Sequence, residues 1–152
     1  MEKVSLKADI MKKAIQSEIK AKDFYSKVSS KIKNKKGRRR MLTLSKEESS
    51  HRNILERRYK ELFGEDFVLD PAIQVSEIFR WKEEEISSQA TALEVVSIGI
   101  QGENDSIQFY KKQFENVNDA EDLKILKKLI KFEESHKIRL QKMYGRLSKV
   151  YY

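Results

Sequence analysis

Cysteine is missing from this chain, and with it go disulfides, thiolate zinc sites, iron–sulfur clusters and cysteine nucleophiles. Proline occurs once, at Pro71, and glycine five times in 152 residues, so little interrupts helix propagation. No apolar run approaches the roughly 20 residues that span a bilayer. The opening MEKVSLKADI lacks the apolar stretch of a secretory leader. These features predict a cytoplasmic protein with no membrane partner. Histidine is nearly as scarce: the chain has two, His51 and His136.

What is abundant is charge. Lys, Arg, Asp and Glu make up 37% of the residues, alongside many Leu, Ile and Ala, the balance of long helices with one solvated face. Nothing argues for strands, and the length fits one domain with one core. The net charge of +8 is concentrated in Lys31 to Arg40, basic at every position except Ile32, Asn34 and Gly37. Asn34 and Gly37 mark that stretch as the turn between the first two helices. It carries no aromatic residues to stack on bases, so a nucleic-acid partner is not expected.

Each histidine ends the same phrase, Glu48-Ser-Ser-His51 and Glu133-Glu-Ser-His136. Residues three apart share a helix face, so each phrase aims a carboxylate and an imidazole at one point. The offset of 85 residues that carries His51 onto His136 also carries Glu18 onto Glu103, Tyr25 onto Tyr110, Leu44 onto Leu129 and Leu55 onto Leu140. The repeat runs without a gap from residues 15–62 to 100–147. Its period is too long for a solenoid and reads as one helical hairpin used twice.

Apolar spacing by threes and fours predicts four helices. The first begins just after Ser5, runs to about Lys33 and turns Met11, Ala14, Glu18, Ala21, Tyr25 and Val28 inward. The second runs from about Arg38 to Phe63, stops at Gly64 and carries Met41, Leu44, Glu48, His51, Leu55 and Tyr59. The capping box Thr91-Ala-Leu-Glu94 starts the third, with Val96, Gly99, Glu103, Ser106, Tyr110 and Phe114 inward. A second box, Asn118-Asp-Ala-Glu121, starts the fourth, with Leu126, Leu129, Glu133, His136, Leu140 and Tyr144. Short turns make antiparallel hairpins at about 6–63 and 91–147, and the 64–90 segment is long enough to cross the whole bundle. Within it, Val75 to Ile86 could form a short helix across one end. The expected architecture is a single all-α domain over 1–152, an antiparallel four-helix bundle of two hairpins joined by one long crossover.

Glu18, Glu48, Glu103 and Glu133 therefore fall mid-helix on stripes otherwise apolar. An uncompensated ionised group there costs several kcal/mol. No Lys or Arg lies level with them, and both histidines fall beside them. Two divalent or trivalent cations, with two neutral imidazoles completing their shells, would neutralise the four charges. A mixed oxygen and nitrogen set suits iron first and manganese second, whereas zinc takes fewer ligands and calcium avoids histidine. Without metal, crowding and burial are expected to raise the pKa of all four carboxylates.

One Glu from each of two helices and Glu-x-x-His from each of the other two is the pattern of the ferritin-like di-iron carboxylate superfamily. Ala14-Ile-Gln-Ser-Glu18-Ile-Lys-Ala-Lys-Asp-Phe-Tyr25 and Lys46-Glu-Glu-Ser-Ser-His51 resemble its rubrerythrin-type members in particular. The resemblance covers residues 8–63 and 91–147. It implies two iron ions per chain, with Glu18 and Glu103 as ligands, Glu48 and Glu133 bridging or chelating both ions, and His51 and His136 each binding one. Tyr25 and Tyr110 would stand just behind the ligands.

Two departures stand out. Full-length rubrerythrins carry a rubredoxin domain whose iron is held by four cysteines, and none is present here. They also place an extra carboxylate one turn after the first on the third helix, where this chain has Ser106, with Asp105 beside it. A symmetric six-ligand set is expected, with Glu47, Glu94 and Glu134 solvated.

The resemblance implies a di-iron peroxidase or ferroxidase-type oxidoreductase. It would oxidise Fe(II), reduce hydrogen peroxide or O2, and draw electrons from an external donor such as a rubredoxin-like protein. A homo-oligomer is expected, a dimer first. The alternatives are ferritin-like iron storage, a non-catalytic metal-binding protein and a di-manganese catalase-like protein.

Overall fold

The computed structural model describes residues 1–76, 78–81, 86 and 90–149. Four helices account for most of them: α1 (Ala8–Val28), α2 (Lys35–Phe63), α3 (Ala92–Asn116) and α4 (Ala120–Lys149). A 3-10 turn at Ser29–Lys31 follows α1, and no strand occurs among the described residues. α1 packs along α2 and α3 along α4, with α1 against α3 and α2 against α4 joining the two hairpins. This is the expected bundle with one long crossover.

Local chemistry sets the helix ends. Asn34 caps α2 by accepting from the backbone N–H groups of Lys36 and Gly37. The helix thus starts three residues before the expected Arg38, and Lys35 to Arg40 form its first turns rather than a loop. These cations sit at the positive end of the helix dipole, so the cap offsets an unfavourable charge placement. Gly64 ends α2 in the left-handed region at φ 73°, its N–H reaching the Lys60 carbonyl. Thr91 caps α3 through the Glu94 N–H, as the capping box predicts.

For α4 the cap is Asp119, not Asn118. Asp119 accepts from the N–H groups of Glu121 and Asp122. Asn118 instead stitches down the amino-terminal segment, accepting from the Val4 N–H and donating to the Glu2 carbonyl. Asp122 accepts from the Leu6 N–H, and Arg58 of α2 pairs with Asp122 at 2.6 Å and Asp119 at 3.1 Å. One buried guanidinium thereby ties three segments together at this end of the bundle.

The inward stripes of α1 and α2 are buried at every expected position. The carboxyl-terminal ends of the other two stripes differ. Phe114 is 39% and Tyr144 41% exposed, and Gln113 and Met143 are buried in their places.

The crossover is not a helix among its described residues. The Ile78 and Phe79 N–H groups both bond the Val75 carbonyl. The rest of the helix expected over Val75 to Ile86 lies, at 77 and 82–85, outside the described residues. Side chains fasten this segment in place of a repeating backbone ladder. Gln16 of α1 bonds both the N–H and the carbonyl of Asp70, Ser106 donates to the Ile78 carbonyl, and Arg80 pairs with Asp105. Phe79 wedges against α3 at Gly102, where any Cβ would overlap its ring.

Two apolar clusters fill the bundle. One, around Phe24, Tyr25, Met41, Val96 and Leu140, lies toward the α1–α2 turn. The other, around Met11, Leu55, Tyr59, Tyr110 and Leu126, lies toward the α3–α4 turn. Between them, halfway along all four helices, is a buried polar layer.

Candidate metal centre

Each helix contributes to that layer at its middle: Glu18 from α1, Glu48 and His51 from α2, Glu103 from α3, Glu133 and His136 from α4. All six are at most 2% exposed. Helical pitch puts each Glu-x-x-His pair on one face, and antiparallel packing brings the two faces together.

The side chains form two overlapping groups. Ligand atoms of Glu18, Glu48, His51 and Glu133 lie within 4.8 Å of one another, as do those of Glu48, Glu103, Glu133 and His136. Glu48 and Glu133 belong to both groups. His51 Nδ1 lies 2.9 Å from Glu133, 3.5 Å from Glu48 and 3.6 Å from Glu18. His136 Nδ1 lies 2.7 Å from Glu48, 3.4 Å from Glu103 and 3.7 Å from Glu133. The two imidazole rings are stacked, with centroids 5.3 Å apart.

Tyr25 and Tyr110 stand behind the carboxylates, and they cross between hairpins. The Tyr25 hydroxyl donates to Glu103 at 2.5 Å and the Tyr110 hydroxyl to Glu18 at 2.6 Å. Burial, then the charge of the facing Glu103 or Glu18, holds each phenol well above its ordinary pKa, so both remain donors.

The carboxylates do not all shift the same way. Burial, then the charges of Glu18 and Glu103, pushes Glu48 up to about 8, and burial with Glu103, Glu48 and Glu18 raises Glu133 well above its usual range. Glu18 goes the other way. Burial raises it, but contacts with Glu48, His51 and Tyr110 together outweigh burial and take it down to about 2. Glu103 is lowered too, by Glu133, His136 and Tyr25 acting against burial. The expectation that all four rise is therefore corrected: the imidazoles supply positive charge that two of the four can use. Burial pulls His51 down, yet Glu133, Glu18 and Glu48 prevail and push it up to about 12. His136 is raised in the same manner by Glu103, Glu47 and Glu48. Without metal, then, Glu48, Glu133 and both imidazoles are shifted toward their protonated forms, and Glu18 and Glu103 toward the carboxylate.

This donor set suits a pair of metal ions. Glu18 Oε2, Glu48 Oε1, Glu103 Oε2 and His136 Nδ1 are buried and make no aligned hydrogen bond, although they crowd within contact distance. Their lone pairs converge on shared space rather than on protein donors. Four carboxylates balance two dications, and oxygen with imidazole nitrogen is the mixture that iron and manganese accept.

Residues near the layer sort as follows. Ser106 and Asp105 stay out of both groups, held by the crossover at Ile78 and Arg80. Glu94 is exposed, and Glu134 is half exposed beside Lys111. Glu47 departs from expectation: it is not simply solvated, because its Oε2 lies 3.2 Å from His136 Nε2 and 2.8 Å from Arg139 Nη2. The repeat gave no signal for it, since its counterpart 85 residues on is Phe132.

The fold is shared with solved structures. A hypothetical protein from Pyrococcus furiosus superposes with a TM-score of 0.75 at 22% identity, over 93% of this chain and 89% of that one. The bacterioferritin-related protein from Bacteroides fragilis, described as a dodecameric thioferritin, superposes with a TM-score of 0.72 at 17% identity, over 93% and 86%. These place the bundle among ferritin-like folds. No curated protein sequence matches the chain. The rubrerythrin family model matches residues 9–144, which takes in α2 and α3, nearly all of α1, most of α4 and every residue of the buried layer. The chain belongs to the rubrerythrin family.

Proposed function

We propose that the buried layer holds two iron ions and that the protein is a di-iron oxidoreductase, oxidising Fe(II) while reducing hydrogen peroxide or O2. The observation that carries this reading is the sharing of Glu48 and Glu133 between two four-residue groups, since a carboxylate common to both can bridge two ions. Glu18 and His51 would complete one ion's set, and Glu103 and His136 the other's. Bound there, the pair of ions would supply two electrons to one oxidant molecule.

The chain's own residues prepare that chemistry. Tyr25 and Tyr110 each hold one oxygen of a carboxylate in the layer, Glu103 and Glu18 respectively, and so fix its orientation. The apolar clusters at both ends exclude bulk water from the bundle axis. Burial and the neighbouring carboxylates shift Glu48 and Glu133 toward the protonated form, which suits them to take up or release protons as the charge of the layer changes. Electrons for repeated cycles would come from a separate donor such as a rubredoxin-like protein, because this sequence has no cysteine to hold a rubredoxin-type iron besides the pair.

The test is metal analysis and an optical spectrum of protein loaded with Fe(II) anaerobically, then mixed with a known amount of peroxide. Two irons per chain and about one peroxide consumed per pair are expected. Fewer than two irons, or no reaction, would overturn the proposal. A dodecameric ferritin-like neighbour makes storage the second reading, and native mass with the iron count per assembly separates the two.

A further inference from the structure

The repeat makes the buried layer nearly symmetric, and the symmetry fails just outside the two histidines. His136 faces the layer with Nδ1 and presents Nε2 to Glu47 at 3.2 Å. Arg139 Nη2 lies 2.8 Å from the same carboxylate oxygen; both are ion-pair contacts, and neither Glu47 Oε2 nor His136 Nε2 makes an aligned hydrogen bond. The 85-residue offset maps Glu47 onto Phe132 and Arg139 onto Ile54, so the other hairpin offers apolar side chains in both places. Phe132 stacks on His51, with centroids 5.1 Å apart and planes 26° apart. Lys128 Nζ lies 5.8 Å from the far ring's centroid. Among the described residues, no carboxylate is paired with Nε2 of His51.

This difference bears on metal binding. An imidazole that ligates through Nδ1 must carry its proton on Nε2, and a carboxylate at Nε2 fixes that tautomer, orients the ring and makes Nδ1 a stronger donor. Phe132 can restrain the His51 ring by stacking, but it accepts no proton and adds no negative charge. Both positions have a cation outside them, Arg139 on one side and Lys128 on the other. Only at His136 does a carboxylate stand between.

Resting on the reading that the layer binds two metal ions, we propose that the two positions are unequal: the one at His136 is filled first, and Glu47 is the positioning residue that makes it so. Outer carboxylates of this kind contribute about 10–100-fold in metal affinity, and a gap of that size between the two steps is expected.

Co(II) is a suitable probe, because it binds oxygen and nitrogen donors and its paramagnetism marks nearby nuclei. The chain has only two imidazoles, so protein labelled with 15N-histidine gives two sets of ring signals, assigned with His51→Gln. At one equivalent of Co(II) added to metal-free protein, the His136 signals should shift or broaden first, and calorimetry should resolve two steps. In Glu47→Gln, which keeps size and helix, two ions should still bind but the steps should merge and both rings respond together. Phe132→Glu should strengthen the second step and narrow the gap from the other side. Two ions bound in one step by the unaltered protein, or an order of filling unchanged in Glu47→Gln, would overturn this inference and leave the two-metal reading standing. Failure to bind two Co(II) ions at all would instead remove the reading on which it rests.

Discussion

Tyr25, on α1, donates its hydroxyl proton to Glu103, on α3, across a 2.5 Å hydrogen bond wholly buried in the bundle. The two residues come from different hairpins, so the bond ties the halves of the repeat together at the level of the candidate site. Tyr110 and Glu18 form its mirror image. Tyr25→Phe should leave a buried carboxylate oxygen without its donor and cost about 1–3 kcal/mol, with helical content unchanged. Tyr110→Phe should cost a similar amount. Denaturant unfolding followed by circular dichroism checks both, and a Tyr25→Phe change within error of zero would refute the assignment.

Metal stoichiometry should follow the shared carboxylates. Glu48→Ala combined with Glu133→Ala removes both residues common to the two groups and should abolish binding of both ions. Glu18→Ala should mainly weaken one position. Retention of two equivalents of iron with an unchanged spectrum in the double variant would show that other residues hold the metal.

Stability of the metal-free protein should depend on pH in a direction the shifts define. Glu48, raised from 4.5 to about 8, stabilises the fold fully below pH 4.5 and loses that contribution as pH climbs through 8. Glu133, also raised, adds to the same slope. His51, raised from 6.5 to about 12, contributes fully below pH 6.5 and progressively less above it. Glu18, lowered to about 2, contributes above pH 4.5 and is lost only in strong acid. Melting temperature should therefore peak at about pH 5 and fall steadily to pH 8 without metal, while the loaded protein stays level. Parallel curves for the two forms would contradict this.

The same proton inventory sets a number for metal uptake. Glu48, Glu133, His51 and His136 are all shifted toward their protonated forms, and metal ligation must displace the protons they hold. Loading two dications should release about four protons per chain, measurable with a pH indicator in weak buffer. Release of fewer than two would mean that the layer is already deprotonated.

Peroxide turnover should be limited by electrons. Reduced, iron-loaded protein should consume about one peroxide per iron pair in a burst and then stop, resuming only when a rubredoxin-like donor and its reductase are added. Sustained loss of peroxide without a donor would favour manganese-catalase-like disproportionation. Uptake of hundreds of irons per assembly would favour storage.

The crossover offers a test independent of metal. Gly102→Ala places a methyl group where the Phe79 ring lies, so either the ring or the segment carrying it must move. Overpacking of this kind costs about 1–3 kcal/mol. Phe79→Ala, which empties the wedge, should cost about 3–5 kcal/mol. A Gly102→Ala variant as stable as the parent would show that the segment yields freely.

Four helices and their order were legible from apolar spacing and capping boxes, and the six residues of the buried layer from the recurrence of Glu-x-x-His with Glu and Tyr at an offset of 85 residues. Helical period is a local property, so spacing alone puts Glu48 beside His51 and Glu133 beside His136. That polar residues occupy stripes otherwise apolar is also written along the chain. What depends on neighbours from distant segments was not legible. Asp119 rather than Asn118 caps α4 because Asn118 is drawn to the amino-terminal segment by Val4 and Glu2. Phe114 and Tyr144 lie outward, with Gln113 and Met143 buried in their places. The described crossover is pinned by Gln16 and Ser106 from two other helices, contacts that no propensity encodes. Tertiary packing likewise decided that Tyr25 faces Glu103 rather than its own hairpin's Glu18, and that Glu47 meets His136. Each of these contacts joins segments far apart in the sequence, and docking fixes distances between residues that sequence periodicity treats as unrelated.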